Sequence, residues 1–388
     1  MNDPKVYLAI DNCFAYKRWT RPMEWMALIR DLGVCYVEAS ADTELDPLYM
    51  GGDYLAKWVR DVEAATAKTG VSVANVFSGH GTYTTLGLAH TDAGVRERFK
   101  TQWFYPMVDI AAQLQAGFGF LVHGFAEFIL QDKMKYGRKM EELYAILAEI
   151  NTYAKQKGCE RMMMEQMYSP QMPPWTIDGM VALMREVARR SGSPFFFVED
   201  TGHHHHKFLR PEIEAIKKAF AAKQAKGLWL GTERTFEIYN NALASGRFTD
   251  GDVDAIRRQI EDNPHMFTEE RDNDCYTWMK AVGCYAAIVH LQQTDGASSK
   301  HLPFTEENNE NGIIEGGRVL RALKHSYDNA EPDGLEQCDK VFLTLELFFG
   351  ATETSNDMLY DYRKSVEYWR RFVPEDGLPL SALVGRLA

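Results

Sequence analysis

Short apolar runs alternate along the chain with longer amphipathic stretches, beginning with VYLAI (6–10). CYVEAS (35–40), VSVANVF (71–77), GFLVHG (119–124), RMMMEQ (161–166), FFFVED (195–200), AAIVHL (286–291) and VFLTLE (341–346) follow. Their apolar residues mostly run together instead of alternating, which predicts strands of a parallel sheet covered on both faces. The stretches between them include PMEWMALIRDLG, DYLAKWVRDVEAATAKTG and KMEELYAILAEINTYAKQKG. These carry helical periodicity, and the last two end in glycine with a lysine one or two residues before it, a helix-stop signal. Eight such βα units predict an α/β protein folded as a closed (β/α)8 TIM barrel. No GxGxxG follows the first strand, which disfavours an open dinucleotide-binding sheet.

The spacing breaks once. About 85 residues separate the sixth and seventh strands, far more than elsewhere. The extra segment, 207–270, reads as PEIEAIKKAFAAKQAKG, TERTFEIYNNALASG and DGDVDAIRRQIEDN, a helical insertion within a single TIM-barrel domain spanning 1–388. A lid, a dimer contact and plain decoration are all open for it.

Composition narrows the partners. The 388 residues, 45% hydrophobic, suffice for a large core. A net charge of −12 with no basic run argues against nucleic acid, whose binding draws on neutralised phosphates. No apolar run reaches the ~20 residues of a spanning helix, so no membrane partner is expected. The start MNDPKVYLAI lacks the order of a signal peptide, and six scattered cysteines without a CxxC read as free thiols. A cytoplasmic location is therefore expected.

Active sites of such barrels form at the C-terminal ends of the strands. Those ends supply Asp11, Glu38, His80, His123, Glu165, Asp200 with His203, His290 and Glu346. A lone glutamate there is more often an ion-pair partner, and a lone His290 beside apolar neighbours more often a satisfied core histidine. His80 and His123 can equally bond to backbone at the rim. What favours a metal is convergence, since four neighbouring strands each deliver a donor. Glu165, Asp200, His290 and Glu346 give three carboxylates and one imidazole, a set suited to Mn²⁺, Mg²⁺ or Co²⁺ more than to thiolate-loving zinc. The run HHHH (203–206) is the other visible candidate for a chelator.

These residues resemble the signature of the xylose-isomerase-like TIM-barrel sugar epimerases and isomerases, the D-tagatose 3-epimerase group. That signature is a Glu ending strand five, Asp-x-x-His after strand six, a His ending strand seven and a Glu ending strand eight. Here it reads Glu165, Asp200-Thr-Gly-His203, His290 and Glu346. The resemblance covers nearly the whole barrel and leaves out 207–270. It implies that Glu165, Asp200, His290 and Glu346 hold one divalent metal, Mn²⁺ first, with Mg²⁺, Co²⁺ or Zn²⁺ as alternatives. It further implies that Glu165 and Glu346 exchange a proton and that His203 touches substrate. AIDNCFAYKRWTRPMEWM, EASADTELDPLYMG, SGHGTYTTLGLAHTD and HLQQTDGASSKHLPFTEENNENGII resemble the branch tied to four-carbon ketose phosphates in erythritol-type catabolism. Two positions depart from the epimerases of free sugars: Gly296 replaces an Arg and Gln171 a second Glu.

The activity so implied is 3-epimerisation of a ketose, or aldose–ketose isomerisation, by proton transfer through an enediolate. The substrate is a small sugar or sugar phosphate, and the family's habit of assembling through barrel helices implies a homo-oligomer. His80, His123, His203 and Gln292 are the expected substrate contacts, and Lys17, Arg18 and Lys300 the expected phosphate contacts, with Arg21 after strand one and His301 after strand seven beside them on the same face. Two further readings stand beside this one. A lyase, a deglycosidase or an endonuclease-IV-type enzyme would keep the barrel and change the chemistry; the last needs more histidines and a DNA surface. A non-catalytic carbohydrate-binding barrel would chelate metal through HHHH instead.

Overall fold

The computed structural model describes residues 2–79, 85–121, 124–330 and 334–387. Eight parallel strands, β1 (Lys5–Asp11), β2 (Tyr36–Ser40), β3 (Ser72–Phe77), β4 (Gly117–Phe120), β5 (Met162–Glu165), β6 (Phe196–Asp200), β7 (Ala286–Leu291) and β8 (Lys340–Leu345), pair in sequence order. β1 pairs in parallel with both β2 and β8, which closes the ring into a TIM barrel. A two-residue β9 (Leu378–Pro379) adds antiparallel to the start of β1. Register sets what meets at the rim: Asp11 lies beside Glu38, and Asp200 beside His290.

The helix Ile177–Ser191 shows how the outer layer forms. Thr176 caps its start by accepting from the Gly179 N–H, and Gly192 ends it with φ 63°, a left-handed conformation that glycine adopts freely. Between them Ile177, Met180, Leu183, Met184 and Val187 share one buried face at three- and four-residue steps. Trp25, Trp58, Trp103, Trp278 and Trp369 are fully buried in the shell between strands and helices. Each fully buried Leu, Ile or Phe there contributes about 1.5–3 kcal/mol. Inside the barrel, Phe77, Met163, Phe196, Val198, Ala287, Ile288 and Cys338 form a separate apolar cluster.

Seven strands lie within a residue of their expected positions. The fourth does not: the sequence predicts 119–124, and β4 is Gly117–Phe120. The glycines of GFGF weigh against a strand in sequence, yet space in the barrel requires them. A Cβ on Gly119 would sit 2.5 Å from a Phe77 ring carbon, and one on Gly117 would sit 2.5 Å from Asn75 Oδ1.

The segment after β6 contains helices Ile213–Ala221, Glu233–Ser245 and Asp250–Asp262. Leu209 bridges Thr268, so the excursion leaves and returns at one point. No helix among the described residues is long and apolar enough to cross a membrane. The six cysteines form no disulfide.

Candidate metal centre

Glu165, Asp200, His290 and Glu346 come from β5, the end of β6, β7 and the residue after β8, and all are buried. One ligand atom from each lies within 4.8 Å of the others. His290 Nδ1 is 3.1 Å from Glu165 Oε1 and 3.3 Å from Glu346 Oε2. Its Nε2–H donates to Glu38 Oε1 at 2.7 Å, and its ring meets Phe77 edge-on at 4.9 Å. Glu38 thereby fixes the tautomer that turns Nδ1 toward the carboxylates. Asp200 Oδ1 accepts from the Gly202 N–H at 2.7 Å and from Gln292 Nε2 at 2.8 Å. A side chain on Gly202 would collide with Gln292, its Cβ falling 2.2 Å from the amide carbon, so Asp-Thr-Gly-His keeps its glycine for space.

Two buried carboxylate oxygens, Asp200 Oδ2 and Glu346 Oε2, accept no hydrogen bond. Orphaned acceptors beside like charges are costly without a cation, and three carboxylates with one imidazole are a donor set that fits a divalent ion. The electrostatics carry the same strain. Burial alone would lower His290, but the Glu346 and Glu38 carboxylates outweigh it and hold the imidazole well above its ordinary pKa. Burial raises Glu346 well above the carboxylate range despite His290, with Asp200 and Glu165 adding to the rise. Asp200 is held low: burial would raise it, and His203, His301 and His290 pull it down.

The cluster opens into a cavity of about 270 Å³ lined by Asp11, Ser40, Asp42, Leu121, Tyr168 and Phe348, together with Glu165, Asp200, His203, His301 and Glu346. His203 lines it, with Nδ1 2.8 Å from the Gln166 carbonyl and its ring against Tyr168 at 4.7 Å. The HHHH run is not one object. His204 pairs with buried Glu199 at 3.0 Å and packs on Trp278, His205 is partly buried beside Phe208, and His206 is exposed.

The expected phosphate contacts are not brought to the cavity. Arg18 donates to the Gly350 and Glu353 carbonyls, each at 3.0 Å. Lys17 is exposed over the Tyr16 ring, and Lys300 is bound to Asp295 at 2.6 Å. Each cation meets a nearer partner, a local choice that spacing along the chain does not record. Gln292 is likewise turned into the protein, holding Asp200 and accepting from the Lys300 and His301 N–H groups. His80 and His123 lie outside the described residues.

A family model described as Xylose isomerase-like TIM barrel matches residues 26–230. The chain belongs to the xylose isomerase-like TIM barrel family. Among solved structures, a provisionally assigned xylose isomerase of Rhodospirillum rubrum shares 19% identity at TM-score 0.66, over 94% of this chain and 99% of that one. A D-psicose 3-epimerase of Clostridium cellulolyticum H10, solved with D-tagatose, shares 13% at TM-score 0.56, over 95% and 98%. A xylose isomerase-like TIM barrel protein of Mycobacterium smegmatis, solved with magnesium, shares 12% at TM-score 0.52, over 98% of each chain. At these identities the likeness is one of fold. No curated protein matches the chain in sequence.

Within this xylose isomerase-like barrel, three residues gain a place that strand-end position alone did not give them. Glu38 lies in the middle of β2, two residues short of the end where the sequence placed it, and holds His290 from behind. Asp11 ends β1 in the cavity wall, where burial and then the Glu38 charge raise its pKa well above the carboxylate range. His301, ten residues beyond β7, folds back into the cavity against Phe348 at 3.8 Å. Loop residues of this kind carry no periodic signal in sequence.

Proposed function

We propose that this chain is a divalent-metal-dependent ketose 3-epimerase, with Glu165 and Glu346 as its proton-transferring pair. The observation that carries the reading is the buried cluster of Glu165, Asp200, His290 and Glu346 facing a cavity sized for a monosaccharide. Glu165 and Glu346 come from β5 and the end of β8, three places apart in a ring of eight, so they approach from nearly opposite walls. A proton on a carbon beside a carbonyl can then leave toward one carboxylate and return from the other, inverting that carbon.

Glu165, Asp200, His290 and Glu346 would hold the metal, Mn²⁺ or Mg²⁺ first for this donor set. When bound, such an ion supplies Lewis-acid stabilisation of the enediolate charge. Glu38 orients His290, and Gln292 with the Gly202 N–H orients Asp200. Leu121, Phe77 and Phe348 supply apolar wall that excludes water from the carbanion-like intermediate. Asp11 and Asp42 stand where a polyol's hydroxyls would need acceptors. Among the described residues the cavity lining holds five carboxylates and neither lysine nor arginine, which supports an uncharged ketose over a phosphate ester.

The test is solvent exchange. Metal-loaded protein is incubated in D₂O with tetruloses, pentuloses, hexuloses and their phosphates, and each product is read by NMR. Deuterium at C3 of one free ketose, lost on EDTA treatment and restored by Mn²⁺, is expected. Deuterium at C1 of the ketose or at C2 of an aldose product marks an aldose–ketose isomerase instead. Glu346→Gln should lower kcat by about 10²–10⁴-fold. Undiminished turnover in that variant sinks the assignment.

A further inference from the structure

The proposed function leaves one buried residue of the histidine run without a part. His204 is 3% exposed, yet it does not line the cavity. Its Nε2–H donates at 3.0 Å to Oε1 of Glu199, which is wholly buried. Successive side chains of a strand point to opposite faces. Val198 and Asp200 point into the barrel, so Glu199 points outward into the shell beneath the helices. There the His204 ring packs on Trp278 of the helix Cys275–Val282, with ring centres 5.6 Å apart.

The bond joins side chains five residues apart and so closes a ring around Asp200, Thr201, Gly202 and His203. Asp200 and His203 both line the cavity. Inside the ring the Gly202 N–H donates to Asp200 Oδ1 at 2.7 Å. The Thr201 N–H and hydroxyl reach the His290 carbonyl at 3.1 and 3.0 Å, which ties the inner side of the turn to β7. Glu199 and His204 tie its outer side. From there the contacts run on into the inserted segment. His204 Nδ1 stands 3.5 Å from the Asp272 carbonyl, which accepts from Trp278 Nε1 at 2.8 Å. The Asp272 carboxylate accepts from the Ile177 and Glu269 N–H groups, each at 2.9 Å. It thereby joins the helix after β5 to the returning end of the insertion.

Stability does not account for this pair. Glu199 Oε2 is buried and accepts no hydrogen bond. A buried ionisable pair loses on leaving water about what it regains by contact, and apolar residues of like volume often replace such pairs without loss. What apolar residues cannot supply is a directional bond across the turn. We propose that Glu199 and His204 are positioning residues. Their bond holds the Asp200–His203 turn in the shape that presents both side chains to the cavity, and it fastens that turn to the returning end of the insertion. The consequence for the metal rests on the proposed function; the holding of the turn does not.

The experiment compares Glu199→Gln, which keeps an acceptor for His204, with Glu199→Met, which removes it. Hydrogen exchange of the whole metal-free chain is followed by mass spectrometry on the peptide spanning 200–205, beside thermal scans. In Glu199→Met that peptide should exchange about tenfold faster, at an unchanged melting temperature and with the other strand ends unaffected. Glu199→Gln should restore the original rate. Mn²⁺ affinity, measured by calorimetry, should fall roughly tenfold in Glu199→Met and recover in Glu199→Gln. If Glu199→Met does not fold, Glu199→Met combined with His204→Phe takes its place, since it leaves no polar group unpaired. Exchange at 200–205 that keeps its original rate overturns the proposal. Loosening of the turn at unchanged Mn²⁺ affinity overturns it as well, because Asp200 would then be placed without the pair. Failure of both apolar variants to fold, or faster exchange spread evenly over the chain, marks the pair as packing only. Loosening confined to the turn, with no Mn²⁺ bound even by the unaltered chain, supports the holding of the turn and removes the metal reading instead.

Discussion

Of the two ring nitrogens of His290, Nε2 is committed to Glu38 and Nδ1 is turned to Glu165 and Glu346. A metal can take Nδ1 only as a bare nitrogen, and the carboxylates hold the free imidazole well above its ordinary pKa. Loading therefore expels a proton, so affinity falls as pH drops, by about tenfold per pH unit for each proton released. Calorimetric titration in buffers of different ionisation heat measures that proton directly; heats independent of buffer would contradict it. Glu38→Gln keeps an acceptor for Nε2–H and removes its charge. Metal affinity should fall roughly 10–100-fold with the fold intact. A lowered melting temperature at unchanged affinity would make Glu38 a packing residue only. Glu165, Asp200, His290 and Glu346 were legible in sequence because each closes a strand with a metal-binding type. His301 was visible only as a residue following strand seven; its turn toward the cluster was not, because a loop returns it to the cavity.

At the scale of elements, the strand pattern was readable wherever the strand was apolar and failed where space ruled. GFGF forms β4 because the facing Phe77 and Asn75 occupy the room that side chains would need. Gly119→Ala should cost about 1–3 kcal/mol by overpacking, read as a lower denaturant midpoint at an unchanged slope. An unchanged midpoint would mean that Phe77 yields freely. The HHHH run divides at the same scale: His203 ends in the cavity and His204 against Glu199, while His206 opens the short helix His206–Phe208. Replacing His205 and His206 together by alanine should leave turnover and metal content unchanged, whereas a chelating tract would lose its metal.

For the whole molecule, the buried centre ties stability to pH. His290 is raised well above its ordinary pKa, so its contribution is fully present below the unfolded value and is lost as pH rises through the folded one. Glu346, Glu38 and Asp11 are raised chiefly by burial, so the folded chain keeps protons that the unfolded chain releases, and stability again declines as pH climbs above about 4. Asp200 is lowered and acts in the opposite sense, its contribution vanishing only as pH falls through its folded value. Metal-free protein should therefore melt at lower temperature near pH 8 than near pH 5, and Mn²⁺ should raise the melting point most at the higher pH, as thermal scans at about those two values would show. A melting point that does not fall would mean that the cluster does not carry this charge. The sequence by itself determined the alternation of strands and helices, the barrel and the types of donor at its rim, because each is encoded in residues close together along the chain. Which nitrogen of His290 faces the carboxylates, which oxygens lack partners and which cations are diverted to other partners were decided only by tertiary structure. Glu38 and His290 are 252 residues apart, and only closure of the ring and the register of its strands set them 2.7 Å from each other.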